Sequence, residues 1–254
     1  MSSSDLGSAE SAQPPPREGV PDLAHYRLQQ LQRDTEFELF RGSLSGPGDA
    51  SAPSILVRTP IADHPAPASL RRMQEEYSLR SELDPAYVVR ALALIQARGH
   101  PMLVLEDPGG TPLDLLLDGP MDTARFLRLA IHIVAALGHV HSRRLVHKDV
   151  KPANILVNTA RDQARLMGLG IASRVPRERQ SPQPPEFVAG SLAYMAPEQT
   201  GRMNRSIDSR SDLYALGVTL YEMLTGSLPF TATDPMEWVH CHIARQPVPP
   251  GERL

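Results

Sequence analysis

Ten consecutive residues, His147 to Leu156, constrain the fold of this chain more than any other segment. They read H-K-D-V-K-P-A-N-I-L. The carboxylate of Asp149 is followed by Lys151 and by the carboxamide of Asn154, and two apolar residues end the segment. Taken alone, such a segment also fits an ordinary polar turn between a helix and a strand. Two further segments follow it, Gly190 to Glu198 (G-S-L-A-Y-M-A-P-E) and Ser211 to Gly217 (S-D-L-Y-A-L-G). Three ordered motifs within about seventy residues are far more specific than any one of them.

The three segments resemble landmarks of protein kinases in the order in which kinases carry them: the catalytic loop (H-R-D-L-K-P-x-N), the end of the activation segment (G-T-x-x-Y-M-A-P-E) and the large-lobe helix that follows. The resemblance covers roughly Tyr26 to Pro250. It implies a bilobal α+β fold with a small β-rich lobe and a larger helical lobe. We expect a disordered Pro- and Ser-rich tail at 1–22, the small lobe at 23–106 and the large lobe at 107–254.

The resemblance also assigns roles on the substrate side of the cleft between the lobes. Asp149 is expected to take the proton of a substrate hydroxyl, and Lys151 to reach the transferring phosphate and mark the Ser/Thr branch. Asn154 is expected to hold a magnesium ion. Ser191 matches the threonine that links Asp149 and Lys151 in Ser/Thr kinases.

On the nucleotide side, Ser54 to Thr59 resembles the V-A-I-K strand, and Arg58 takes the place of its lysine. Arginine keeps the charge but replaces a compact ammonium with a planar fork. Glu76 on the next helix is the expected partner of Arg58. Glu75 remains a competing candidate, because a slip of one residue changes the helix face. A solvated strand residue is the alternative reading of Arg58.

The adenine end of the cleft is expected at a hinge that follows Leu105, the residue in the gatekeeper position. The carbonyl of Glu106 would accept a hydrogen bond from the adenine amino group, and Leu156 would pack beneath the ring. The backbone N–H that donates to the adenine ring nitrogen in kinases would belong to residue 108. That residue is a proline and has no N–H. A lost hydrogen bond in a dry pocket costs about 1–3 kcal/mol. A slip of the hinge onto Gly109 would restore this donor.

Two further departures affect the phosphates and the metal. The turn from Gln32 to Phe37 has no glycine where kinases carry G-x-G-x-x-G, and Asp34 and Glu36 bring carboxylates towards phosphate oxygens. Gly168 stands where kinases carry the magnesium-binding aspartate of D-F-G. Asp162, in the preceding turn, is a poor substitute for it.

Periodicity and capping residues place two of the helices. They indicate a C helix over Ser69 to Glu82 and an E helix over Met121 to His141. The resemblance implies the others: a short D helix over Thr111 to Leu117, an F helix over Leu213 to Leu224 and a G helix over Asp234 to Ile243. Asp122 is the expected N-cap of the E helix. Its apolar stripe comprises Phe126, Leu129, Ile133, Ala136, Leu137 and Val140.

Composition excludes several classes of protein. The net charge of −3 does not suggest binding to nucleic acid, and a single cysteine, Cys241, rules out a disulfide framework. We expect a cytoplasmic protein without a signal peptide, because the first residues are neither basic nor apolar. Phe126 to Val140 is too short and too often interrupted to span a membrane. The histidines of this region are expected to be scaffold residues, not a zinc site.

The chain ends before the last two helices of a kinase lobe, so we expect a fragment, a truncated gene or a chain that another protein completes. Gly201 to Tyr214 resembles the kinase-like module of bacterial hybrid sensor histidine kinases. That resemblance implies downstream ATPase-type and histidine-kinase domains as partners, besides a protein substrate.

Three functions remain open from the sequence. The first is an active Ser/Thr kinase that uses ATP and Mg²⁺. The second, which we favour, is a pseudokinase with weak or absent catalysis. The third is a docking unit that binds no nucleotide. The fold alone does not decide between them.

Overall fold

The computed structural model describes residues 23–44, 53–97, 99–174, 191–202 and 205–253. The predicted tail at 1–22 and Ser181, the hydroxyl of the predicted activation segment, lie outside these ranges.

The N-terminal part forms one antiparallel sheet of five strands with the order β1-β2-β3-β5-β4. The strands are Tyr26–Arg33 (β1), Phe37–Leu44 (β2), Ile55–Pro60 (β3), Ala91–Ala97 (β4) and His100–Glu106 (β5). This sheet agrees with the β-rich small lobe of the expected fold.

Alternation along β3 divides the small lobe into two apolar layers. Ile55 and Val57 belong to a cluster on the outer face of the sheet. Leu56 belongs to a second cluster on the inner face, together with Met73 of the helix Pro67–Ser78 (α1). Successive side chains of a strand point to opposite faces, so Arg58 lies on the same inner side as Leu56. The sheet therefore directs Arg58 towards α1.

The C-terminal part is mainly helical. Its helices are Thr123–Ser142 (α2), Ser209–Thr225 (α3) and Pro235–Ala244 (α4). Short strands lie between them: Thr111–Pro112 (β6), Leu145–Val146 (β7), Ile155–Asn158 (β8), Gln163–Leu166 (β9) and Ser173–Arg174 (β10). Strands β6, β8 and β9 form a small sheet and β7 pairs with β10. The mixed fold of the chain is the predicted α+β class.

The predicted apolar stripe of α2 is confirmed. Its buried residues are Leu129, Ile133, Ala136, Leu137 and Val140, with Phe126 packed against the same core. The predicted N-cap is also confirmed, because a side-chain oxygen of Asp122 accepts from the N–H of Arg125 at 3.0 Å. Although α2 has the length and hydropathy of a membrane span, core helices meet the same criteria, and its inner face forms the core.

Two predicted helices differ from the structure. No α-helix covers the predicted range Thr111 to Leu117; strand β6 is followed there by a single 3-10 turn, Leu113–Leu116. Thr111 and Pro112 are instead extended and pair with Val157 and Leu156 of β8. A residue that precedes a proline is disfavoured in the helical region, so no helix begins at Thr111. The predicted C helix ends earlier than expected, because α1 stops at Ser78 and continues as the 3-10 turn Leu79–Ser81.

Two isoleucines of α2 provide a matched test of this packing. Ile133 is fully buried and Ile131 is 67% exposed. We expect Ile133→Ala to lower the free energy of unfolding by about 2–5 kcal/mol, since it leaves a cavity in the core. Ile131→Ala, measured in the same urea titration, should change it by less than about 0.5 kcal/mol. Equal losses in the two variants would contradict the assigned orientation of α2.

Candidate active site

The cleft between the two parts of the chain brings the predicted phosphate-end and substrate residues together. It has a volume of about 900 Å³. Its lining includes Arg58, Glu76, Asp149, Lys151, Asn154, Gly168 and Ser191. Of the predicted site residues, Glu106 and Leu156 do not line this cleft.

Arg58 and Glu76 form an ion pair at the back of the cleft. Nη1 of Arg58 lies 2.8 Å from Oε2 of Glu76, with 12% and 6% of the two side chains exposed. The competing Glu75 lies on the exposed side of α1. The other carboxylate oxygen of Glu76 accepts from the N–H of Gly168 at 3.1 Å. One carboxylate thus joins β3, α1 and the segment that follows β9.

The predicted catalytic residues form one hydrogen-bonded group. Nζ of Lys151 lies 3.0 Å from Oδ2 of Asp149 and donates to Oγ of Ser191 at 2.7 Å. The N–H of Ser191 donates to Oδ1 of Asp149 at 3.2 Å. Lys151 therefore links the carboxylate of Asp149 to the hydroxyl of Ser191. This is the arrangement that the sequence resemblance implies for the substrate side of a Ser/Thr kinase.

Asn154 is turned towards Asp149. Its Nδ2 donates at 2.8 Å both to the carbonyl oxygen and to Oδ2 of Asp149. Its Oδ1 faces Gly168, where a Cβ atom would lie 2.5 Å from that oxygen. Asn154 therefore occupies the space that an aspartate at position 168 would need.

The residues present do not fit a magnesium ion bridging nucleotide phosphates. Mg²⁺ requires oxygen ligands and is usually held by one or two carboxylates. Asn154 contributes a neutral amide, Gly168 contributes no side chain, and Lys151 already neutralises Asp149. Throughout the described ranges, no three His, Cys, Asp or Glu side chains gather into a possible metal site. Asp162 pairs instead with Arg128 at 2.9 Å.

The side chain of Asp34 accepts from two backbone donors of the turn between β1 and β2. Oδ1 of Asp34 accepts from the N–H of Glu36 at 2.7 Å and from the N–H of Phe37 at 2.6 Å. In a glycine-rich loop such donors face phosphate oxygens. Glu36 is paired with Arg72 of α1. The N–H groups of Glu36 and Phe37 are therefore engaged within the turn and do not face a phosphate.

The hinge after β5 is held by Asp107, whose side chain is fully buried. Its oxygens accept from Nε of Arg41 at 2.6 Å and from Oγ of Ser54 at 2.7 Å. They also accept from the N–H of Gly109 at 3.0 Å. Pro108 has no N–H, and the donor of Gly109 is engaged within the chain. Neither register of the predicted hinge leaves a donor for an adenine ring nitrogen.

A buried carboxylate positions the catalytic loop. Asp212 of α3 accepts from the N–H of His147 at 2.8 Å and from the N–H of Lys148 at 2.7 Å. Nε2 of His141 lies 2.8 Å from the same carboxylate. This contact fits the predicted scaffold role of His141. Lys148 has a φ of 69°, a left-handed conformation that the loop imposes on a non-glycine residue.

Two contacts of the cleft were not predicted. Nε2 of Gln199 donates to the carbonyl of Lys148 at 2.9 Å, and its Oε1 accepts from the N–H of Ala196 at 3.1 Å. Ala196 has no side-chain oxygen, so the Ser/Thr-x-x-Glu/Gln signature of a capping box is absent and the sequence did not mark this contact. Nε2 of Gln32 on β1 donates to Asp114 at 2.8 Å. No local pattern marks that contact, because 82 residues separate the two.

The segment after Ser191 is held by buried polar groups. The hydroxyl of Tyr194 donates to Glu222 of α3 at 2.6 Å. Burial, and then this hydrogen bond, raise the pKa of Tyr194, so the phenol stays protonated. Burial also raises the pKa of Glu222, although the bond from Tyr194 opposes the shift. Nε2 of His242 lies 2.7 Å from the carbonyl of Leu192. Burial lowers the pKa of His242 and favours the neutral ring.

Comparison with known proteins identifies the family to which the chain belongs. A family model for the protein kinase domain matches residues 60–248, more than half of the chain. The chain belongs to the protein kinase family. The matched range begins at Pro60, after the β1–β2 turn and Arg58, so the model covers the catalytic loop but not the first three strands.

Individual relatives are bacterial. The chain is 36% identical over 155 residues to the serine/threonine-protein kinase PknB of Mycobacterium tuberculosis, covering 60% of this chain and 24% of the relative. It is 34% identical over 190 residues to pkn2 of Myxococcus xanthus, covering 73% and 23%. It is 31% identical over 207 residues to pkn3 of the same organism, covering 78% and 37%. The chain thus spans less than half the length of these relatives.

The Arg58–Glu76 pair should behave as a buried ion pair. We expect Arg58→Ala to lower the free energy of unfolding by about 3–5 kcal/mol, because it leaves the carboxylate of Glu76 buried without its cation. Arg58→Met combined with Glu76→Leu should cost less than the sum of the two single changes. Urea denaturation of the four proteins in a double-mutant cycle measures the difference. Strictly additive effects would show that the pair does not act as a unit.

The contact between Gly168 and Asn154 gives a second test. Gly168→Asp should lower the free energy of unfolding by about 1–3 kcal/mol, since Asn154 must swing away and lose its bonds to Asp149. Gly138→Ala is the control, because its helical site on α2 is open. It should raise stability by about 0.5–1 kcal/mol. A Gly168→Asp variant at least as stable as the unmodified chain would contradict the packing described for Asn154.

Proposed function

We propose that this chain is a Ser/Thr-type pseudokinase: a bacterial signalling module that keeps the kinase fold and its substrate side but has weak or absent phosphotransfer. The observation that carries the proposal is the contact between Gly168 and Asn154. Where a kinase places its acidic metal ligand, this chain has a glycine, and the side chain of Asn154 fills the space.

The expected loss of transition-state stabilisation favours a pseudokinase over a catalyst with substantial residual activity. Removing one electrostatic group from an active site costs about 2.7–4 kcal/mol of transition-state stabilisation. Here the metal carboxylate is missing, two N–H groups of the β1–β2 turn are satisfied by Asp34, and the hinge offers no donor at Pro108. These losses are not additive. Two of them are nevertheless enough to slow phosphotransfer by several orders of magnitude.

The alternative is an active kinase that transfers the γ-phosphate of ATP to a protein hydroxyl. Two observations favour it: Arg58 and Glu76 are paired, and Asp149, Lys151 and Ser191 are assembled as catalysis would require. The relatives are also named as serine/threonine-protein kinases. An active enzyme would need another source of metal ligands than Gly168.

The partners follow from the same proposal. A module with an ordered substrate side and an impaired nucleotide side is suited to binding a protein segment at Ser191 and Lys151 without modifying it. We extend the proposal to a cytoplasmic role in signal transduction. In that role the chain acts with histidine-kinase or ATPase-type domains, as the resemblance of Gly201 to Tyr214 suggests. ATP and Mg²⁺ would be cofactors only of the active alternative.

Thermal unfolding with and without magnesium-ATP tests the proposal. A ligand at a hundred times its Kd stabilises a protein by about 2.7 kcal/mol, which raises the midpoint of a chain this size by roughly 5–10 °C. We expect no magnesium-dependent rise. The unfolding transition itself shows that the sample is folded.

A phosphotransfer assay on a generic protein substrate completes the test, with Asp149→Ala as the control. We expect no difference between the unmodified chain and the variant. A magnesium-dependent rise in the midpoint together with phosphotransfer that Asp149→Ala abolishes would overturn the pseudokinase proposal in favour of the active kinase.

A further inference from the structure

The side chain of Leu56 lies where the cleft approaches the hinge. Leu56 is on the inner face of β3, two residues before Arg58, and pairs across the sheet with Leu105 of β5. It is fully buried. The V-A-I-K strand of kinases has an alanine two residues before its lysine. Leu56 stands in the position of that alanine, so an isobutyl group replaces a methyl group at this end of the cleft.

Burial shows that this end of the cleft is filled. Leu156, which the resemblance places beneath the adenine ring, is 2% exposed and shares one apolar cluster with Leu56, Leu39 and Leu105. A side chain that forms the floor of an open slot keeps part of its surface accessible. The 900 Å³ cleft described above reaches Arg58 but is not lined by Leu56 or Leu156.

We propose that Leu56 closes the adenine subsite, and that this single side chain excludes a purine ring from the hinge. The inference rests on the proposed function, because it gives the impaired nucleotide side a steric cause besides the missing metal ligand. The apolar floor at Leu156 is retained beneath the closure. In this proposal, the side chain of Leu56 fills the space above Leu156 that an adenine ring would occupy.

Truncation of Leu56 should therefore create a purine site. Replacing a buried leucine by alanine leaves a cavity where the surroundings do not collapse, and an apolar cavity can admit a flat aromatic ligand. We expect Leu56→Ala to bind adenosine at least tenfold more tightly than the unmodified chain, without any metal. Adenosine is the probe because it has the ring but no phosphates, so the phosphate end of the cleft does not enter the measurement.

Ile55→Ala is the matched control. Isoleucine and leucine are isomers, so both variants lose the same atoms from adjacent residues of β3. Ile55 lies in the outer cluster, on the opposite face of the sheet from the cleft. Adenosine affinity, read from the shift of the thermal midpoint over a ligand titration, should rise in Leu56→Ala and stay at the unmodified level in Ile55→Ala.

The outcomes separate this inference from the proposed function. A folded Leu56→Ala protein without adenosine binding overturns the inference and leaves the proposed function standing, and so does an equal gain in Ile55→Ala. Adenosine binding by the unmodified chain as tight as by Leu56→Ala also overturns it. Magnesium-dependent ATP binding and phosphotransfer by the unmodified chain overturn the proposed function and this inference together, because ATP carries the purine ring. If Leu56→Ala gives no cooperative transition, Leu56→Val, which removes one methylene, is judged by the same criteria.

Discussion

The substrate side of this molecule depends on the buried carboxylate of Asp212. A buried charge is tolerated only where it is paired or hydrogen-bonded, and Asp212 meets that condition by accepting from two consecutive N–H groups of the catalytic loop and contacting His141. The core helix α3 therefore cannot pack as it does unless the loop is in place. This coupling explains why Asp149 and Lys151 remain ordered although the nucleotide side departs from the family pattern: their geometry is a consequence of the core.

On the nucleotide side, the charged groups that could bind a ligand are already paired within the chain. Each basic group that could face a phosphate has a carboxylate of the chain beside it: Arg58 has Glu76, Arg72 has Glu36 and Lys151 has Asp149. Two of these pairs, Arg58–Glu76 and Lys151–Asp149, are also those that catalysis would require, whereas Glu36 adds a carboxylate beside Arg72 that would repel a polyphosphate. A bound metal normally offsets such repulsion. Because position 168 is a glycine and offers no acidic metal ligand, the positive charges of the cleft are neutralised by carboxylates of the chain itself.

How much the sequence could predict depends on how local each feature is. The stripe of α2, its cap at Asp122 and the bonds of Asp212 were predictable, because periodicity, spacing and motif carry them. The predicted D helix was wrong because Thr111 and Pro112 are extended and pair with β8, a contact between segments distant in the sequence. The contact between Gln32 and Asp114 joins distant segments that no pattern relates. The burial of Leu56 became visible only with the register of β3 against β5, since a leucine in a strand is unremarkable by itself.

The two parts of the chain are also joined by contacts that need no ligand. Gln32 of β1 donates to Asp114, Arg41 of β2 donates to the carbonyl of Gly110 at 2.6 Å, and Glu76 of α1 accepts from the N–H of Gly168. In an enzyme that must open and close around a nucleotide, such contacts would oppose the motion. In a binding module they are favourable, because they hold the substrate side in one conformation, so that less ordering entropy is lost when a partner binds.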